Sequence, residues 1–154
     1  MTSSPESTGG DWLAAVRAYL GVTAVANLMW EAFHLPLYTI WTSGSLQEQA
    51  FAVLHCTVGD VLIALAALAV ALITVGTKVW PVEHHRPVLL VALVVGVAYT
   101  VFSEWYNIVV RANWAYSSLM PVVPLINTGL SPLLQWLVIP IAAFHTARRA
   151  GGGH

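Results

Sequence analysis

Charge is what this sequence has least of. Only 8% of its 154 residues are Asp, Glu, Lys or Arg, against about a quarter in a soluble domain, too few to clothe a water-facing surface. A net charge of −1 gives no electrostatic reason to invoke nucleic acid. The single cysteine, Cys56, excludes an intrachain disulfide and any C-x-x-C redox or zinc pair. The opening MTSSPESTGG lacks the basic segment and short apolar run of a secretory leader, so the apolar stretch behind it is expected to be kept as the first helix. No internal repeat is evident.

What is present is hydrophobic. The runs VLIALAALAVALITV (61–75) and VLLVALVVGVAYTVF (88–102) carry no charge, and with their flanks they reach the roughly 20 residues a helix needs to cross a bilayer. The fold class expected is therefore an all-α integral membrane protein, a four-helix transmembrane bundle. Its helices are predicted at 12–41, 46–75, 87–111 and within 119–147. Ser45 and Glu48 form an S-x-x-E capping box at the start of the second, and Gly76 stands at its end. Pro87 suits the first turn of the third. MPVVPLINTGLSP holds three prolines, so an irregular or interfacial segment over 120–130 precedes the last helix, whose natural start is Ser131-Pro132. Such a segment survives at membrane depth only against protein or a cavity, which casts it as a lid. A tail at 1–10, one domain at 11–148 and a flexible end at 149–154 complete the organisation.

The basic residues set the orientation. Arg17, Lys78, Arg86, Arg148 and Arg149 fall at the termini and the middle loop, while the first and third loops offer only Arg111. The positive-inside rule then places both termini in the cytoplasm of an inner, cytoplasmic membrane. Trp41, Trp114 and Tyr116 fit an outer aromatic belt and Trp80 an inner one.

Against this apolar background the segment NLMWEAFHLPLY (27–38) is anomalous. At 100° per residue, Asn27, Glu31, His34 and Tyr38 fall within about 40° of one direction, with Thr23 extending the stripe. Pro36 is expected to kink the helix. The third helix carries a matching stripe of Thr100, Glu104, Asn107 and Arg111. His55 and Asp60 lie about 140° apart on the second helix, and the fourth offers Gln135 beside Ser131 and Thr128. Counted at 1.5 Å per residue, Glu31, His34, His55 and Glu104 fall roughly 10–15 Å below the outer surface, with Asp60 about 7 Å deeper.

Ionisable groups in hydrocarbon are costly, and in membrane proteins they mark function. Glu31, His34, His55 and Glu104 make a donor set for a divalent transition metal, zinc or iron. Asn27, Tyr38, Asn107 and Gln135 would support the bound group from behind. Glu-x-x-His, the spacing that di-iron bundles use twice, occurs once, as EAFH. Without a metal, Glu31, Glu104 and Asp60 would serve acid–base chemistry on a lipid or isoprenoid, with the Trp and Tyr side chains lining an apolar pocket. A b-type haem held by His34 and His55, or a proton-coupled carrier using Asp60 as a relay, are further readings. The bilayer is the expected partner, with a small apolar or lipid ligand and a possible homo-oligomer. A purely structural role would pair Glu31 with Arg111, His55 with Glu104 and Asn27 with Asn107.

Overall fold

The computed structural model describes residues 9–75, 80–81 and 83–152. Four helices among them are long and apolar enough to cross a membrane, over Trp12–Leu37, Leu46–Val75, His85–Val110 and Leu130–Gly151. The chain is mainly helical, and four helices of this length and composition suggest a multi-pass membrane protein. Large apolar side chains cover the outside of the bundle: Phe33 and Ile73 are each 79% exposed, as on a surface that meets lipid or another protein.

Helix α1 runs Gly9–His34, α3 Leu46–Val75, α4 His85–Trp105 and α5 Leu130–Gly151, with α2 a single turn at Ile40–Ser43. The chain goes up, down, up and down. The main packing forms a ring in which α1 and α4 each touch both α3 and α5. One end of the bundle gathers the start of α1, the turn at Trp80-Pro81 and the end of α5, where Gly151 leaves no room for a Cβ against Pro81 and Ala15. The other end holds the two longer connections.

Those ends are built differently. At the first, small side chains (Ala15, Ala64, Ala67, Ala71, Ala92, Ala143 and Ala147) are buried, and their size lets the backbones approach closely. Tyr19, Trp80 and Phe144 fill the remaining space edge to face, with ring centroids 5.3–6.4 Å apart. Trp80 is thus a core residue, 2% exposed, and the expected inner-belt position is corrected. At the second end, α3 buries only Thr57 between Leu46 and Ala64. Its first half stands off the bundle and leaves a hollow.

Gly96 on α4 marks the boundary. A Cβ there would overlap the Trp136 ring, coming within 2.6 Å of its Cζ3. Gly96→Ala should therefore displace Trp136 and lower stability by about 1–3 kcal/mol, the usual penalty of overpacking. A melting curve in detergent matching that of wild type would show that the ring has room to move.

Two helix boundaries differ from expectation for physical reasons. The first helix ends at His34 and not near residue 41, because Pro36 enters a 3-10 turn at Leu35–Leu37 and cannot supply the next helical N–H. α4 runs into a π-helical turn at Tyr106–Val110, closed by Arg111 N–H donating to the Tyr106 carbonyl over 2.9 Å. The capping box is formed: Ser45 N–H donates to Glu48 Oε2 at 2.8 Å, and Glu48 N–H to Ser45 Oγ at 3.3 Å. Pro87 sits in the first turn of α4, and α5 begins at Leu130, one residue before Ser131. The segment before α5 folds as a two-residue-per-strand hairpin, β1 (Val122–Val123) on β2 (Thr128–Gly129). α1 already includes Gly9 and Gly10, and α5 continues through Arg149 to Gly151. Gly76, Lys78 and the tail residues 1–8 and 153–154 lie outside the described residues.

Candidate functional site

The hollow end encloses a cavity of about 1210 Å³, lined on α1 by Glu31 and His34, on α3 by Cys56 and Asp60, and on α4 by Glu104. Pockets for drug-sized ligands run about 300–1,000 Å³, so this one has room for a lipid-sized molecule. Phe51, Ile63, Tyr99 and Trp136 give it apolar walls.

Its floor is a polar cluster centred on Gln135. The amide nitrogen of Gln135 lies 2.8 Å from Asn27 Oδ1, 2.9 Å from Glu31 Oε1 and 2.9 Å from Asp60 Oδ2. Asn27 in turn donates from Nδ2 to the Thr23 carbonyl at 2.8 Å, which fixes its orientation. Thr23, Asn27, Glu31, His34 and Gln135 are all buried, as the stripe on α1 implied. His34 closes the cluster on one side: Nε2 lies 3.1 Å from Glu31 Oε2 and Nδ1 lies 3.0 Å from Ser131 Oγ. Both imidazole nitrogens are therefore engaged. Ser131 also accepts from Trp30 Nε1 at 3.2 Å and does not line the cavity, so its hydroxyl orients His34 and does not present a nucleophile.

The roof is made by stitching the two connections together. Thr39 N–H donates to the Ala115 carbonyl and Ser117 N–H to the Leu37 carbonyl, each at 2.9 Å. Tyr38 and Tyr116 are thereby set side by side with ring centroids 5.6 Å apart. Tyr38 donates to Glu104 Oε2 at 3.3 Å, and Tyr116 donates to the same oxygen. The direction is fixed by Gly129, whose N–H donates to the Tyr116 hydroxyl oxygen at 2.7 Å and leaves the phenolic hydrogen for Glu104. Burial first, then the Glu104 carboxyl, pushes the Tyr116 phenol well above its ordinary range, so this donor keeps its proton at any working pH. Glu104 is thus presented to the cavity as an acceptor held by two hydroxyls.

Asn107 is half-buried on the cavity wall and donates to the Ser103 carbonyl at 2.9 Å, while its own oxygen accepts from Asn113. His55 lines the mouth but is exposed, its ring stacked on Phe51 at 5.5 Å. The predicted set is thus divided. Glu31, His34, Asp60, Asn27 and Gln135 meet in the floor, Glu104 and Tyr38 meet at the roof, and His55 joins neither hydrogen-bonded group. Among the described residues, no three His, Cys, Asp or Glu side chains come close enough to share an ion. The pairings of a purely structural cluster are not the ones formed: Glu31 bonds His34 and Gln135, Glu104 bonds two tyrosines, and Asn27 bonds Gln135.

Two participants escaped the sequence reading. Tyr116 fits an outer aromatic belt by sequence but joins the roof, and Ser131 meets His34 through a contact no spacing announces. Trp114, also given to the belt, lines the cavity with its Nε1 buried and unpartnered. No local pattern marks Tyr116, because its role depends on a bridge to Tyr38, 78 positions away in the chain. Comparison with protein-family models, curated proteins and solved structures gives no significant match.

Proposed function

We propose that this protein is a membrane-embedded acid–base catalyst acting on a small apolar molecule, a lipid or isoprenoid, through proton transfer at a carbon–carbon double bond. One observation carries the reading. Glu104 on α4 and the Glu31/Asp60 pair on α1 and α3 line the same large cavity, which also presents Phe51, Ile63 and Trp136, and each is held by its own hydrogen-bond donors. A substrate between them would meet one group able to give a proton and another able to take one, the arrangement an isomerase or cyclase needs. Gln135, Asn27 and His34 hold the floor pair in place. Tyr38 and Tyr116 hold Glu104.

The basic residues support an orientation with both termini in the cytoplasm and the cavity towards the outside. Among the described residues, Arg17, Arg86, Arg148 and Arg149 belong to the packed end and Arg111 alone to the hollow one.

A transition-metal protein is the second reading. The Glu31–His34 contact of 3.1 Å favours it, since a carboxylate and an imidazole already face each other at the cavity edge. It requires His34 to give up one of its two hydrogen bonds and a further ligand to move in. A haem needs more, because His55 would have to leave Phe51.

The test is turnover of a panel of isoprenoid and sterol-like lipids by purified protein in D2O. Deuterium appearing in product, unaffected by a strong chelator, is the result expected. Turnover abolished by the chelator and restored by zinc or iron would transfer the site to the metal reading, and no turnover across the panel with stoichiometric bound metal would do the same.

A further inference from the structure

The floor of the cavity has one hydrogen too few. Gln135 meets three oxygens from a single amide nitrogen, at 2.8, 2.9 and 2.9 Å, but an NH2 group carries two hydrogens. Rotating the amide does not help. Asn27 spends its own nitrogen on the Thr23 carbonyl, so it turns an oxygen to Gln135 and demands a nitrogen there. With one hydrogen committed to Asn27, one remains for two carboxyl groups. Glu31 Oε1 and Asp60 Oδ2 share that nitrogen as partner and so lie no more than two hydrogen-bond lengths apart. Two carboxylates sharing one donor repel unless something positive stands between them.

The groups facing the pair decide what that is. From α1 comes His34, bonded to the other oxygen of Glu31, with Asn27 below it. From α3 comes Cys56, from α4 Glu104, and from α5 Gln135, which is uncharged. No lysine or arginine lines this floor; Arg111 stands at the cavity's mouth and is exposed. A charged His34 would offset Glu31 alone, through Oε2, and would leave the hydrogen count unchanged, whereas a proton on the pair supplies both the charge and the hydrogen.

We infer that Glu31 and Asp60 hold a single proton between them in the resting protein, and that this carboxylic acid–carboxylate pair is the proton donor of the reaction, with Gln135 as its positioning residue. The inference rests on the acid–base reading for its catalytic half only. In the reaction, the shared proton adds to one carbon of the substrate double bond and a carbocation forms. Glu104 then takes a proton from a neighbouring carbon, and that C–H electron pair becomes the new double bond. Product and substrate are isomers, the pair is left ionised and Glu104 protonated. The proton returns through the water-open cavity, and nothing is oxidised or reduced.

Infrared spectroscopy of the substrate-free protein in lipid nanodiscs tests the shared proton directly. A carboxylic acid C=O band at neutral pH, moving to lower frequency in D2O, is expected in wild type. It should vanish in Asp60→Asn and in Glu31→Gln, whose amides supply the missing hydrogens themselves, and persist in Glu104→Gln. The pH titration of the wild-type band needs no variant and should show loss of one proton as pH rises. A wild-type spectrum without the band at neutral pH overturns the inference. So does a band that survives both floor substitutions or disappears in Glu104→Gln. Because the protein is read without substrate, an absent band leaves the enzymatic reading standing, whereas absent turnover leaves the band in place.

Discussion

Glu104→Gln is expected to lower turnover by about 10²–10⁴-fold, the usual contribution of one positioned acid–base group, while the protein still folds and binds ligand. The amide keeps the shape of the carboxyl and its carbonyl oxygen still accepts from Tyr38 and Tyr116, so the roof has no steric reason to rearrange. What it loses is the ability to take up a proton from carbon. The loss should therefore fall on kcat with KM little changed, which marks an interaction made in the transition state. The measurement is steady-state turnover of the active member of the lipid panel, with ligand binding followed by tryptophan fluorescence. A variant with near wild-type kcat would remove Glu104 from the chemistry.

The second large effect concerns stability. Gln135→Leu removes both hydrogens that Asn27, Glu31 and Asp60 share, in a floor where Gln135 is 2% exposed. Each buried group left unsatisfied costs about 1–3 kcal/mol. The sum is a large part of the roughly 5–15 kcal/mol that holds a typical domain folded. A melting transition lowered far below wild type, or failure to accumulate in the membrane, is expected. Gln135→Glu should be no milder, since it adds a third carboxyl to the same point. Wild-type thermal stability in Gln135→Leu would mean that water substitutes fully for the amide.

The bundle and the polar face of α1 were legible in the sequence because both follow from periodicity. Thr23, Asn27, Glu31 and His34 recur at helical spacing and are all buried, and Ser45 with Glu48 announced the start of α3. Depth was harder. An unbroken first helix to residue 41 would bury Glu31 deeply, whereas Pro36 ends the helix at His34, so Glu31 belongs to the last turn. Asp60, expected about 7 Å below Glu31, shares a donor with it, because α3 begins beyond the level at which α1 ends. His55 illustrates the opposite failure. Its residue type fits a metal shell, but the 140° that separates it from Asp60 carries it off the polar cluster and onto Phe51. The roof was invisible, since Tyr38, Tyr116 and Gly129 are joined by pairing between connections that no helical period describes.

The knot of Tyr19, Trp80 and Phe144 behind the floor has a bearing on traffic. With these three rings interlocked and alanines pressed around them, the hollow is closed on that side. If the proposed conversion takes place here, substrate and product share the open end opposite this knot, and accumulated product should act as a competitive inhibitor.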